Sequence, residues 1–126
     1  MRFRVTGAGA MRKTMQRIAR QAPNEFARAL YQETEIEATE AKRRTPVDTG
    51  ALRASIHVEG PTVTGRRIST AIVAGGPAAP YAIEVHENLE AFHKVGESKY
   101  IERPLMEAAP HLAARIARRI DLNRVR

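Results

Sequence analysis

The residues best placed to do chemistry are two histidines near a carboxylate, His86-Glu87 and His93. A zinc site of the common helical peptidase type needs its second histidine four residues after the first, so that both imidazoles share a helix face. Here the gap is seven, across a stretch with no clean helical periodicity, so a surface or hydrogen-bonding role is expected instead. Gly7-Ala8-Gly9-Ala10-Met11-Arg12-Lys13-Thr14 has the outline of a phosphate loop. Arg12, however, occupies the position where glycine must let the backbone wrap the phosphates. Ser55, Ser69 and Ser98 lie in no nucleophile elbow. Glu33, Glu37 and Glu40 pair carboxylates at helical spacing, for which a solvated face is the default. Nothing assembles a nucleophile, a base and oxyanion donors. The chain is therefore not expected to be an enzyme, and no catalytic residue, cofactor or metal is assigned.

The elements that carry these residues can be read in order. Arg2–Val5 is a short strand candidate. Met11, Met15, Ile18 and Ala22 then give an amphipathic helix with Arg12, Lys13, Arg17 and Arg20 opposite. Pro23 suits the first turn of a second helix, expected over Pro23–Arg44. Its small-residue face is Ala27, Leu30, Tyr31, Thr34, Ala38 and Ala41, and Lys42, Arg43 and Arg44 complement its dipole at the end. Pro46 biases Thr45 away from the α region and stops that helix. Asp48 and Gly50 make Asp-Thr-Gly a turn. Leu52, Ala54, Ile56 and Val58 alternate with Arg53, Ser55, His57 and Glu59, which predicts a strand over Leu52–Glu59. A Gly60–Gly65 connection leads to a second strand near Arg67–Ala74, forming an antiparallel hairpin. Tyr81–Val85 reads as a third strand or a short helical turn, and 86–99 as an exposed loop. The last helix runs from about Ile101 to Leu122 on a stripe of Ile101, Leu105, Ala108, Leu112, Ile116 and Ile120. Pro110 should kink it.

The whole of 1–126 reads as one α+β domain: a small, mostly antiparallel sheet flanked by two N-terminal helices and a long C-terminal helix. Aromatic residues are only 5% of the chain, so the core is thin. The net charge of +7 is carried at the two ends. Residues 1–23 hold six basic and no acidic side chains, and residues 24–90 hold seven basic and ten acidic. The remainder, including a basic tail at 121–126, is again basic. No window is apolar enough for a membrane span and no signal peptide is visible. There are no cysteines, which excludes disulfides and thiolate sites.

Three stretches together resemble a family of tailed-bacteriophage neck proteins, also called minor tail, tail-completion or head–tail joining proteins. The first is Thr45-Pro46-Val47-Asp48-Thr49-Gly50-Ala51-Leu52-Arg53-Ala54-Ser55-Ile56 after a basic start and a long helix. The second is Tyr81-Ala82-Ile83-Glu84-Val85-His86-Glu87, and the third runs from Gly96 to Leu105. One departure is that Glu87-Asn88-Leu89-Glu90 stands where many members place a glycine soon after the acidic residue. The resemblance implies a structural virion protein, made in the host cytoplasm. Its copies would form a ring, a hexamer or dodecamer, between head connector and tail-terminator ring, around passing genomic DNA. On that reading Pro46, Asp48, Gly50, Leu52, Arg53 and Ser55 form the family's turn and strand. Glu33, Glu37 and Glu40 would face the lumen and repel DNA, and Arg115, Arg118, Arg119 and Arg124 would contact a partner ring or DNA. The alternative is a free, sequence-independent DNA-binding protein acting through its basic ends.

Overall fold

A computed structural model describes residues 1–6, 13–46, 50–65, 67–76, 79–88 and 96–120, with backbone only at 6 and 13–15. The order is β1 (Arg2–Thr6), α1 (Lys13–Gln21), α2 (Pro23–Arg44), α3 (Ala51–Ser55), β2 (His57–Thr64), β3 (Arg67–Val73), α4 (Ala82–Glu87) and α5 (Glu102–Arg119). This is the expected α+β class. The sheet order is β1-β3-β2, antiparallel throughout. Phe3, Ile72 and Val58 stand in register on the face that meets the helices, while Arg4, Ala71 and Glu59 share a row on the other. The amino group of Met1 donates to Ala74 O at 3.2 Å, and Ala74 N–H returns a bond to Met1 O at 3.0 Å. The first strand is thus tied to the end of the last.

Helix α2 has the span that its proline and its basic end predict. It packs against α1, β2, β3 and α5. Phe26, Ala27, Leu30, Thr34, Ala38 and Ala41 form its buried face. Those residues divide into two apolar clusters. One joins Ile18, Phe26, Leu30, Ile68, Ile116 and Ile120. The other joins Ala38, Ala41, Leu52, Ile56, Ile72 and Tyr100. At the level between them, Thr34 Oγ1 lies 2.6 Å from Thr70 Oγ1 and donates its own proton to Leu30 O at 2.7 Å. The Thr70 hydroxyl must therefore be the donor to Thr34. Both buried hydroxyls are satisfied, as an apolar interior requires.

The expected strand over Leu52–Glu59 is not what forms. Residues 51–55 make α3, and the strand begins only at His57 and runs through Gly60, with a register shift between Glu59 and Thr62. Leu52 and Ile56 fit either period, because they are four apart. Ala54 separates the two: a strand would bury it with them, and it is exposed. Gly50, at φ 85, supplies the left-handed residue from which the helix starts. Tyr81–Val85 resolves as the helical alternative, α4.

The flanks of the expected 86–99 loop are packed. His86 is buried in α4 and Ser98 is buried beyond it, while 89–95 lie outside the described residues. α5 continues through Pro110, which sits on its exposed face. Water can there satisfy the carbonyl that proline leaves without a donor.

Candidate functional site

The three sequence stretches singled out above meet in space, and they do so at the end of α2. Thr45 is extended (φ −66°, ψ 132°), as a residue before proline should be. Its hydroxyl donates back to Ala41 O at 2.6 Å and closes the helix. The backbone around Gly96 then lies directly on this turn. A Cβ at Gly96 would come within 2.5 Å of Pro46 N and Thr45 C, and φ there is +86°. Glu97 N–H donates to Arg44 O at 2.8 Å. Only glycine permits that approach.

The second and third stretches are joined through His86. Lys99 N–H donates to His86 O at 2.7 Å, Ser98 Oγ to Asn88 O at 2.5 Å and Tyr100 Oη to Ala82 O at 3.0 Å. The imidazole is wholly buried between the rings of Phe3 and Tyr100, with centroids 5.1 and 4.9 Å away. Nδ1 lies 2.9 Å from Glu87 Oε1, and Nε2 receives the backbone N–H of Glu102 at 3.3 Å. Burial pushes the His86 pKa down, against the opposing pull of Glu87. Glu87 is held below the usual carboxylate range by Lys99 first and by His86 second. Both ring nitrogens are thus used within the fold. His93 lies outside the described residues, and among those described no group of three or more His, Asp or Glu could hold a metal ion.

Arg44 is the charged hub of the junction. It reaches Glu40 on its own helix at 2.8 Å, Glu107 on α5 at 2.6 Å and Glu97 at 3.6 Å. Arg43 and Arg44 together hold the Glu40 carboxyl at about 2. From this hub an antiparallel ladder of opposite charges runs along α2 and α5. Glu37 faces Arg115 at 3.5 Å, and Glu33 faces Arg119 at 3.5 Å. Arg119 also donates to Gln32 Oε1 at 3.2 Å.

The expectation of an open acidic stripe is therefore corrected. Glu33 and Glu37 are buried under α5, and only Glu40 keeps substantial contact with water. Glu33 Oε2 has no hydrogen-bond partner among the described residues. Burial raises the Glu37 pKa, with Arg115 opposing and Glu33 adding. Arg115 and Arg119 spend part of their charge inside the chain. Arg118, by contrast, is exposed and makes no ion pair among the described residues. Arg124 lies outside them.

The family-like turn serves the same junction. Pro46 is half-buried and Leu52 is buried, while Asp48 lies outside the described residues. Ser55 Oγ donates to Leu52 O at 2.6 Å and accepts Gly75 N–H at 2.9 Å, pinning α3 to the exit of β3. Arg53 Nε is buried without a hydrogen-bond partner among the described residues. Sequence reasoning found these residues but placed Leu52, Arg53 and Ser55 on a strand. It missed His86 as the acceptor for α5, Arg44 as the hub and Gly96 as the contact point. The glycine was visible, but nothing in its neighbours announced what would press against it.

The family model described as "Bacteriophage HK97-gp10, putative tail-component" matches residues 9–86, more than half of the chain. The match ends within α4, so it takes in the first of the three stretches that converge here and all but Glu87 of the second. No curated protein and no solved structure matches the chain.

Proposed function

Since this chain belongs to the HK97 gp10-like family of bacteriophage tail components, we propose that it is a ring subunit at the junction of head and tail. In this role it does no bond chemistry. It completes the joint between the head connector and the tail-terminator ring and lines part of the passage for the genome. The copies number six or twelve. The family match is the observation that carries the reading.

Two surface features support assembly. Tyr81 and Ile83 stand exposed at the start of α4 beside the exposed carboxylate of Glu84, and Met106 is exposed on the first half of α5. Large apolar side chains left exposed suit contact with a neighbour better than contact with water. Arg118, free of internal partners among the described residues, remains the candidate for contact with an adjoining ring or the passing DNA. No helix among the described residues is long and apolar enough to cross a membrane.

The test is deletion of the gene in a phage that carries it, followed by electron microscopy of the lysate. Filled heads and finished tails are expected to accumulate unjoined, and purified protein should restore joining. Intact particles in its absence overturn the proposal.

A further inference from the structure

The helices cover one face of the sheet, and the other face is a trough. Register sets Arg4, Ala71 and Glu59 in one row, Ser69 and Thr62 in the next, and Arg67 with Thr64 beyond. Over the middle of this face β3 contributes the small side chains of Ser69 and Ala71, with Arg67 at its start, while Arg2 and Arg4 on β1 and Glu59 on β2 are the longer side chains of the outer strands. The result is a concavity of about 300 Å³ running over Ser69 and Ala71. The outer strands of a three-stranded sheet lie about 10 Å apart, a width that takes one polypeptide segment.

The charges in the trough are unevenly matched. Arg2 is bridged to Glu59 at 2.6 Å. Arg4 and Arg67 are exposed and have no acidic partner among the described residues. Hydroxyls of Ser69, Thr62 and Thr64 lie along the same face. Guanidinium forks flanking hydroxyls are suited to binding carboxylates or phosphates through charge-assisted hydrogen bonds.

Two observations choose the occupant. An occupant that reaches both Arg4 and Arg67 needs acids four residues apart. In this chain that spacing occurs at Glu33 and Glu37 alone; both are buried in α2 and paired with Arg119 and Arg115, so a second copy does not supply it. Duplex DNA is broader than the trough, so it would rest on the rims, leave the hydroxyl floor unmet and bring phosphates against Glu59. We propose that the open sheet face binds an extended, acidic segment of a different protein, laid along β3. From the row of Arg4 to Arg67 is four residues of β3, about 13 Å. An extended segment repeats each face every second residue. It would therefore carry acids at i and i+4, with a small or hydroxyl side chain at i+2 above Ser69. The inference needs only this face and holds whether or not the chain forms a ring.

The test is titration of the isotope-labelled protein, followed by amide NMR, with the acetylated peptide Glu-Thr-Ser-Thr-Glu. Its Gln-Thr-Ser-Thr-Gln counterpart and a short DNA duplex are run in parallel. The acidic peptide is expected to shift the amides of Thr62, Thr64 and Ser69 saturably, and the glutamine peptide is not. Combining Arg4→Glu with Arg67→Glu should weaken binding by about tenfold or more, whereas Arg28→Glu, on the exposed side of α2, should leave it unchanged. Both arginines are exposed, and the spectrum itself reports whether the variant is folded. Three results would each overturn the proposal: no shift at trough amides, equal binding by the double variant, or movement of those amides by the duplex alone.

Discussion

The ring nitrogen Nε2 of His86 accepts the backbone N–H of Glu102, the first residue of α5, at 3.3 Å. A helix start leaves such donors without intrahelical partners, and here a buried side chain from another element satisfies one of them. The geometry also assigns the tautomer. Nε2 must be bare, so Nδ1 carries the proton and donates it to Glu87 Oε1 at 2.9 Å.

A second proton would set N–H against N–H inside the core. Burial holds the His86 pKa below its ordinary value, with Lys99 adding to the shift and Glu87 and Glu102 opposing it. The unfolded chain then binds more protons than the native one in this range, so stability rises with pH. The contribution is complete above about 6.5 and is lost as pH falls through the lower native value. Urea unfolding of the protein at about pH 7.5 and about pH 5.5 should show lower stability at the acid end. His86→Gln should be less stable at both and show a flatter dependence. An unchanged slope in that variant would remove His86 as its source.

Gly96→Ala should be among the most damaging single-methyl additions in the chain. The new Cβ would meet backbone atoms of Arg44, Thr45 and Pro46, which cannot swing aside, at a φ that L residues rarely adopt. A loss of about 3 kcal/mol or more is expected. Gly76→Ala meets nothing within 4 Å among the described residues and bears the backbone strain of its φ of 115°, a cost of about 1 kcal/mol. Denaturant midpoints of the two variants check the ordering.

The charge ladder between α2 and α5 predicts different responses from adjacent arginines. Arg119→Met leaves Glu33 buried without its cation and should cost about 1–2 kcal/mol. That is less than for a fully buried pair, because Arg119 keeps 35% of its surface in water. Arg118→Met, on the exposed side, should change stability by no more than about 0.5 kcal/mol. Chemical denaturation at low and high salt tests both, with the Arg119 effect shrinking only partly as salt screens its exposed portion.

Ser55 ties α3 to the end of β3 through the N–H of Gly75. Ser55→Ala removes that acceptor and should cost about 1 kcal/mol. Amide hydrogen exchange at Gly75 should accelerate by more than exchange in the middle of β3. Equal acceleration throughout the strand would indicate general loosening instead.

Much of the frame is legible in the sequence because its determinants are local. The span of α2 follows from Pro23 at one end and Thr45-Pro46 at the other, and the buried stripe of α5 follows from spacing alone. α3 was not legible as a helix because Leu52 and Ile56 satisfy two periodicities, and only the exposure of Ala54 distinguishes them. The acidic residues of α2 were read as a solvated face. Their burial depends on Arg115 and Arg119, some eighty residues later in the chain, and no local pattern records that pairing. The same holds for His86, whose partners come from β1, α4 and the start of α5. The sequence supports a surface or hydrogen-bonding role for it, and its neighbours in space make it a buried acceptor for the first N–H of α5.

The separation of β1 from its partner has a consequence for synthesis. Among the described strands β1 pairs with β3, so Arg2–Thr6 leaves the ribosome long before that partner exists. The nascent chain must carry that strand, and the alanine-lined side of α2, unsheltered until Arg67–Val73 has emerged. Pairing across so long a separation is slow, and its exposed intermediates invite association. Translation through the middle of this gene is thus the interval in which the polypeptide is most vulnerable.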